Sequence, residues 1–434
     1  MEKRAVVTGM GAVSPIGIGK EQNWNSILQS TTGIGPLVRL SSENLPVGLG
    51  AEIKDFDPKQ YVQDRKAIRL TYYNVHLALV AATLAVQDAH IDITGEDPSR
   101  FGAVVGSGGG GFDDGPGFEE IGEPLLRSWD DEKQQFDSSR FGENGIPAAY
   151  PLFLLKALPN NAFFYISLLF NIQGENDNIV SSYTAGAQAV GDAFRTIRRG
   201  LADIMIAGGY DCLLTPNTLC SLDSYSVLSK NTDPVNACRP FDRLRDGIVA
   251  GEGAGFLVIE ERNHAIKRGA PIYAEVVGYG NASSAFHMFN PDSSGSGMMR
   301  AILRALQDAD IPPEHIDWVC ADGIATQDSD LAEAHALYAA LKHHAAAVPV
   351  SAVKCLTGHM GAGSGAAETI YSIMTMNAGV LPPTANYDNP DERCKLNIVG
   401  KRPVEKNVQY ALTLSQGIGG QSTALILKNH SEEQ

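Results

Sequence analysis

Short β-branched runs alternate with amphipathic helical patterns from one end of this chain to the other, and that alternation constrains the fold more than any other feature. Strands are expected over residues 4–8, 101–105, 178–182, 204–208, 255–260, 272–279, 318–321 and 411–414, and helices over 67–89, 186–200, 297–309, 330–341 and 366–378. Strands separated by crossover helices imply an α/β protein with largely buried, mixed sheets. The order of elements permits two related halves dividing near the polar stretch 261–267, giving an N-terminal half of residues 1–260 and a C-terminal half of residues 261–434. A chain of 434 residues, 44% hydrophobic, can bury a core of that size.

Composition narrows the functions available. The net charge of −16, from 34 basic and 50 acidic side chains, argues against general nucleic-acid affinity, which needs clustered Lys and Arg. Cysteines at 212, 220, 238, 320, 355 and 394 form no Cys-x-x-Cys pair, so no zinc or iron–sulfur site is expected and the thiols read as reduced and partly buried in a cytoplasmic protein. The start of the chain runs directly into a strand-like segment without a long apolar signal region. The most apolar stretch, residues 151–170, is interrupted by Lys156, Pro159, Asn160 and Asn161, so a buried helix or a dimer contact is expected there and membrane insertion is not.

Glycine runs follow two strands, Gly106 to Gly111 and Gly251-Glu252-Gly253-Ala254-Gly255. The first leads into Phe112-Asp113-Asp114-Gly115-Pro116 and not directly into a regular helix, and no Gly-Lys-Ser/Thr phosphate loop occurs. Turn geometry and close backbone packing account for these glycines, and no nucleotide is assigned.

Several ordered motifs carry a resemblance. They are Val6-Val7-Thr8-Gly9-Met10-Gly11, Ser181-Ser182-Tyr183-Thr184-Ala185-Gly186, Arg239-Pro240-Phe241-Asp242-Arg243, Ala321-Asp322-Gly323, Lys354-Cys355-Leu356-Thr357-Gly358-His359 and Gly417-Ile418-Gly419-Gly420. Together they span nearly the whole chain, which resembles the β-ketoacyl-acyl carrier protein synthase family, closest to the elongating type of fatty-acid and type II polyketide systems. The resemblance implies a thiolase-like fold of two related halves, with mixed sheets layered between helices, usually assembled as a dimer.

It also implies an altered site. In active relatives a cysteine accepts the acyl chain and two histidines bind the malonyl thioester; here Tyr183 stands at the cysteine position, Asp322 at the first histidine position, and His359 retains the second. Lys354 and Glu333 are implied as a supporting ion pair, and the backbone amides of Tyr183 and Ile418 as the oxyanion hole. A phenol with an ordinary pKa near 10 is a poor nucleophile at neutral pH, and an ionised Asp322 cannot donate a hydrogen bond. Cys320 and Cys355, beside motif residues, read as packing residues and not as replacement nucleophiles.

Arg65, Lys66 and Arg69 form the basic patch implied for carrier-protein docking, with substrate arriving on the phosphopantetheine arm of that carrier and no cofactor or metal bound by the chain. Three functions remain open: a non-condensing, chain-length-factor-like partner of an active ketosynthase; a malonyl-carrier-protein decarboxylase using His359; and a specialised carrier-protein-dependent acyltransferase in which Tyr183 and Asp322 form an acid–base pair. The first requires a heterodimer, while the others are compatible with a homodimer.

Overall fold

The computed structural model describes residues 3–40, 44–109 and 115–430. Ten strands build the frame: β1 (Ala5–Ser14), β2 (Phe101–Ser107), β3 (Asn176–Val180), β4 (Ile204–Cys212), β5 (Glu252–Glu261), β6 (Ala274–Ser283), β7 (Trp318–Cys320), β8 (Pro349–Ser351), β9 (Tyr410–Gln416) and β10 (Gln421–Asn429). Five helices position the site: α1 (Tyr73–Asp88), α2 (Ala185–Arg198), α3 (Ser296–Ala309), α4 (Gln327–Leu341) and α5 (Gly363–Ala378).

The strand order is β8-β7-β9-β10-β6-β1-β5-β4-β2-β3, extended at one end by Asn397–Ile398. Each half repeats one pattern. In the first, β3, β2 and β4 are parallel, β4 pairs antiparallel with β5, and β5 with β1. In the second, β8, β7 and β9 are parallel, β9 pairs antiparallel with β10, and β10 with β6. The halves join where β1 meets β6, with Val6 opposite Glu275.

The repeat extends to sequence detail. Register shifts occur between Val7 and Gly9 in β1 and between Val276 and Gly278 in β6. A Cβ at Gly9 or Gly11 would overlap the carbonyls of Ala85 and Ala81 on α1; a Cβ at Gly278 or Gly280 would overlap those of Ala305 and Ala301 on α3. Gly-x-Gly in the strand against alanines one helical turn apart lets each helix lie directly on its sheet.

Three apolar clusters fill the spaces between layers. One sits under α1, a central one surrounds α2 and α5, and a third lies under α3 and α4. The two central helices therefore run between the sheet halves and are buried nearly all round, as their small residues allow: Ala185, Gly186, Ala189 and Ala193 on α2, and Gly363, Gly365, Ala366 and Ala367 on α5.

Two expectations need correction. The single helix expected over 67–89 is two: a short one at Arg65–Arg69 and α1, separated by Tyr72 in an extended conformation. Tyr72 is fixed by its hydroxyl on Glu120 (2.6 Å) and by Lys156 over its ring (4.1 Å), tertiary contacts that local pattern does not report. The apolar stretch at 151–170 also forms two helices, Phe153–Lys156 and Asn161–Phe170, and the second buries Tyr165 and Ile166 while exposing Phe164 and Leu168. The glycines behave as packing residues, since Cβ atoms at Gly106 and Gly255 would overlap the backbones of Ala185 and Ala367. Gly110 and Gly111 lie outside the described residues.

Candidate functional site

The two central helices begin beside one another, and their N-termini form the site. A Cβ on Gly186 would overlap the Ala362 carbonyl oxygen, and one on Gly365 would stand 2.9 Å from Ala187 Cβ, so only glycine lets the helix starts approach this closely. Tyr183 lies in a 3₁₀ turn, Ser182–Thr184, that links β3 to α2. Ser182 holds φ at 50°, a left-handed value costly for a residue with a Cβ, and this makes the strand-to-helix corner that presents Tyr183. As the second residue of that turn, Tyr183 has an amide without an intrahelical acceptor. The loop carrying Gly417 and Ile418 passes alongside: a Cβ on Gly417 would lie 3.4 Å from the Tyr183 amide nitrogen. The loop is tied down by Gly417 N donating to Gln421 O (2.9 Å) and Gly419 N to Met288 O (2.8 Å).

His359 is reached through the short helix Lys354–Thr357 and the left-handed Gly358. Its backbone is clamped by Val249 O (2.8 Å) and Gly251 N (2.9 Å). Gly361 N donates to His359 Nδ1 at 3.1 Å, which places the ring proton on Nε2. That Nε2 is buried without a hydrogen-bond partner, in a residue only 2% exposed. Burial, helped by Lys354, holds the imidazole well below its ordinary pKa, so it is a neutral N–H donor at physiological pH. The Tyr183 ring lies against it, centroids 4.4 Å apart and planes 56° from parallel. Burial, with Asp211 and Tyr225 adding like charge, raises the phenol above its ordinary value, so Tyr183 stays protonated and non-nucleophilic.

Behind His359 lies a buried charge cluster. Lys354 Nζ donates to Asp322 Oδ1 (2.9 Å), Asp322 O (2.8 Å) and Glu368 Oε1 (2.6 Å). The implied Lys354–Glu333 pair is not formed. Glu333 accepts the amides of Asp322 (2.8 Å) and Gly323 (2.9 Å), bracing the loop from α4, while Glu368, one turn into α5, takes the ammonium. Asp322 is short and acidic, so it is drawn back onto Lys354. Burial first, and Asp322 next, push Glu333 up to about 8; burial pushes Glu368 up to about 8 against the pull of Lys354. Lys354 is held above its ordinary value because its two carboxylates outweigh burial. Glu368 was missed from sequence, although it is the one charged residue in α5.

The Tyr183–Asp322 acid–base pair is likewise not formed. Asp322 Oδ1 is committed to Lys354, and no hydrogen bond joins the carboxylate to the phenol. Cys320 and Cys355 are buried, with Cys355 pushed up to about 12 by burial and its Sγ on Ala352 O at 3.1 Å. Arg65, Lys66 and Arg69 are exposed on their own short helix, which Asp64 caps through the amides of Lys66 (2.8 Å) and Ala67 (3.1 Å).

A pocket of about 310 Å³ opens on the other side of Tyr183. Ile324, Ile248 and Leu222 line it, and Tyr225 and Phe289, stacked with centroids 3.9 Å apart, form part of its wall. Ile418 lines it too, but His359, Asp322 and Lys354 do not. Among the described residues no cluster of His, Cys, Asp and Glu is arranged to hold a metal, and no helix is long and apolar enough to cross a membrane.

Two mixed-sheet halves enclosing paired buried helices, with a site at the helix starts, define a thiolase-like protein. Residues 2–265 match the β-ketoacyl synthase N-terminal domain and residues 273–388 the β-ketoacyl synthase C-terminal domain. The chain belongs to the β-ketoacyl synthase family. It is 37% identical over 429 residues to 3-oxoacyl-[acyl-carrier-protein] synthase 2 of Coxiella burnetii, covering 98% of this chain and 99% of the relative. The enzyme of the same name from Synechocystis is 34% identical over 430 residues, 99% of each chain. Among solved structures, the ishigamide ketosynthase/chain length factor superposes with a TM-score of 0.88 at 27% identity, over 99% of this chain and 100% of that one. A type II polyketide ketosynthase complexed with its acyl-carrier protein (AntDE:AntF) gives 0.86 at 29% identity, over 99% and 100%.

Proposed function

We propose that this protein is a non-condensing subunit that pairs with an active ketosynthase and helps set the length of its product. The observation that carries this reading is the Tyr183 ring, at the position the resemblance implies for the nucleophile, which packs at 4.4 Å on His359 with the pocket on its far side. A substrate in that pocket meets a protonated phenol. His359, the donor that would stabilise an enolate, is behind the phenol, and Asp322, at the other donor position, is a carboxylate spent on Lys354. Residues 1–260 and 261–434 would be the two repeat halves, and Tyr183 N and Ile418 N the remnant of an oxyanion hole.

A partner face supports the assembly. β3 is an edge strand with Val180 53% exposed, and the segment before it exposes Leu125, Leu126, Trp129, Leu154, Leu155, Phe164 and Leu168. Arg65, Lys66 and Arg69, free of ion pairs among the described residues, would receive an acidic carrier protein in the cytoplasm.

The test is incubation with malonyl-carrier protein, alone and with a co-expressed cysteine-containing ketosynthase from the same organism, read by mass spectrometry. No acetyl-carrier protein is expected from this chain alone, and the product length should change when it joins the active subunit. A stable homodimer that ignores every such ketosynthase would refute the reading. One observation favours a second reading: the unpartnered Nε2–H of His359 is a donor of the kind that polarises a thioester carbonyl. Acetyl-carrier protein formed above an empty control would make the chain a decarboxylase.

A further inference from the structure

Two buried carboxyls on α4, Asp330 and Glu333, fasten the segment that links this helix to β7. Glu333 accepts the amides of Asp322 and Gly323, and Asp330 accepts those of Ala325 (3.0 Å) and Phe241 (2.8 Å). Ala325 and Phe241 hold φ at 66° and 61°, left-handed values costly for residues with a Cβ, so both amides are fastened under strain. Arg245, also buried, donates to the carbonyls of Thr326 (2.9 Å) and Gln327 (2.8 Å). Acids outnumber cations around this clamp among the described residues. Arg245 stands 3.5 Å from Asp330 but makes its closer ion pair with Asp391 (2.8 Å), and Lys354 is held by Asp322 and Glu368. Asp322 faces both carboxyls, which also face one another; the thiols of Cys238 and Cys394 face Asp330, and that of Cys320 faces Glu333.

We infer that residues 322–326 form a pH-sensitive strap, held closed while Asp330 and Glu333 are neutral and loosened when they ionise. Burial pushes Asp330 up to about 7 against the pull of Arg245; burial first, and Asp322 next, push Glu333 up to about 8. Opening the strap returns both groups to water, where a carboxyl ionises near pH ~4. The closed form therefore binds protons more tightly than the open one. Closure is strongest at low pH and is lost as pH rises through the folded values. For Asp330 alone, the closed-to-open ratio falls about tenfold from pH 6 to pH 8. The strain at Ala325 and Phe241 is released in the same motion, which favours opening once the clamp is charged. Ile324 and Thr326 belong to the strap and line the pocket beside Tyr183, so rising pH frees one wall of that pocket.

The experiment is hydrogen–deuterium exchange of the full chain at pH 6, 7 and 8, each rate divided by the intrinsic rate of an unprotected amide at that pH. Protection at the Ala325 and Phe241 amides should fall about tenfold or more between pH 6 and pH 8, while the amides of β10 keep theirs. Asp330→Asn should shrink that fall about threefold or more, and Asp330→Asn/Glu333→Gln should abolish it, since neither replacement ionises. A wild-type profile flat within about twofold overturns the inference. So does protection that rises with pH, an equal loss in β10, or a double variant that keeps the dependence. If the variants do not fold, the wild-type profile decides alone.

Discussion

Replacing Lys354 by Met tests whether charge holds the centre of this molecule together. The substitution keeps the volume and removes the ammonium that bridges Asp322 Oδ1 at 2.9 Å and Glu368 Oε1 at 2.6 Å. Breaking a buried ion pair by deleting one member costs about 3–5 kcal/mol, since the other charge is left unpaired. Glu368, at about 8, is mostly protonated at pH 7 and escapes part of that cost, which puts the loss near the lower end, about 3 kcal/mol. The pH dependence follows from linkage. A carboxyl whose folded pKa lies above its unfolded value contributes stability that is complete below the unfolded value and lost as pH rises through the folded one. Glu333 and Glu368 already behave so between about 4.5 and about 8. Without Lys354 the folded value of Glu368 rises further, so the deficit grows by about 1.4 kcal/mol per pH unit per proton above pH 8. Urea unfolding of wild type and Lys354→Met at pH 6, 7 and 9, at one protein concentration, reads both quantities. A loss below about 1 kcal/mol, or one that does not grow with pH, would show that packing and not charge holds this cluster.

Three further outcomes are expected. Tyr183→Cys yields a thiol that iodoacetamide alkylates, yet condensation should remain about a hundredfold or more below that of Tyr183→Cys/Asp322→His, because a single missing oxyanion donor costs about that much; carrier-protein product analysis compares the two. Gly186→Ala should destabilise by about 1–3 kcal/mol despite better helix propensity, since its Cβ overlaps the Ala362 carbonyl, whereas Gly400→Ala, with open space around it, should stay within about 0.5 kcal/mol in denaturant titrations. His264 bonds Glu260 and Glu96, each at 3.0 Å, and the Glu260 hydrogen bond outweighs burial to raise it above 6.5; its contribution is complete below 6.5 and lost as pH rises through the higher folded value, so His264→Gln should lower the urea midpoint at pH 6 and leave it unchanged at pH 9.

Much of the fold was legible because it is written in periodicity and in glycine. The strands expected over 204–208 and 255–260 fall inside β4 and β5, the one expected over 4–8 begins one residue before β1, and the helix expected over 186–200 is α2 within two residues. The duplication needed the structure: the Gly9-Met10-Gly11 and Gly278-Tyr279-Gly280 segments carry it, but only their matching contacts with alanines on α1 and α3 reveal it. The motifs likewise brought Tyr183, His359, Lys354 and Asp322 to one place, as the resemblance implied. They named Glu333 as the acid that would take the lysine, and Asp322 and Glu368 take it instead.

Residue identity and order alone carry the family, the alternation of strands and helices, and the tyrosine at position 183 where the resemblance implies a cysteine. Tertiary structure alone decided that Lys354 turns to Asp322 and Glu368, that Glu333 braces a loop, and that Tyr183 stands between His359 and the pocket. A buried ammonium binds whichever carboxylates the packed helices bring within about 3 Å. That distance depends on how α4 and α5 lie against the sheet, and no local stretch of sequence encodes it.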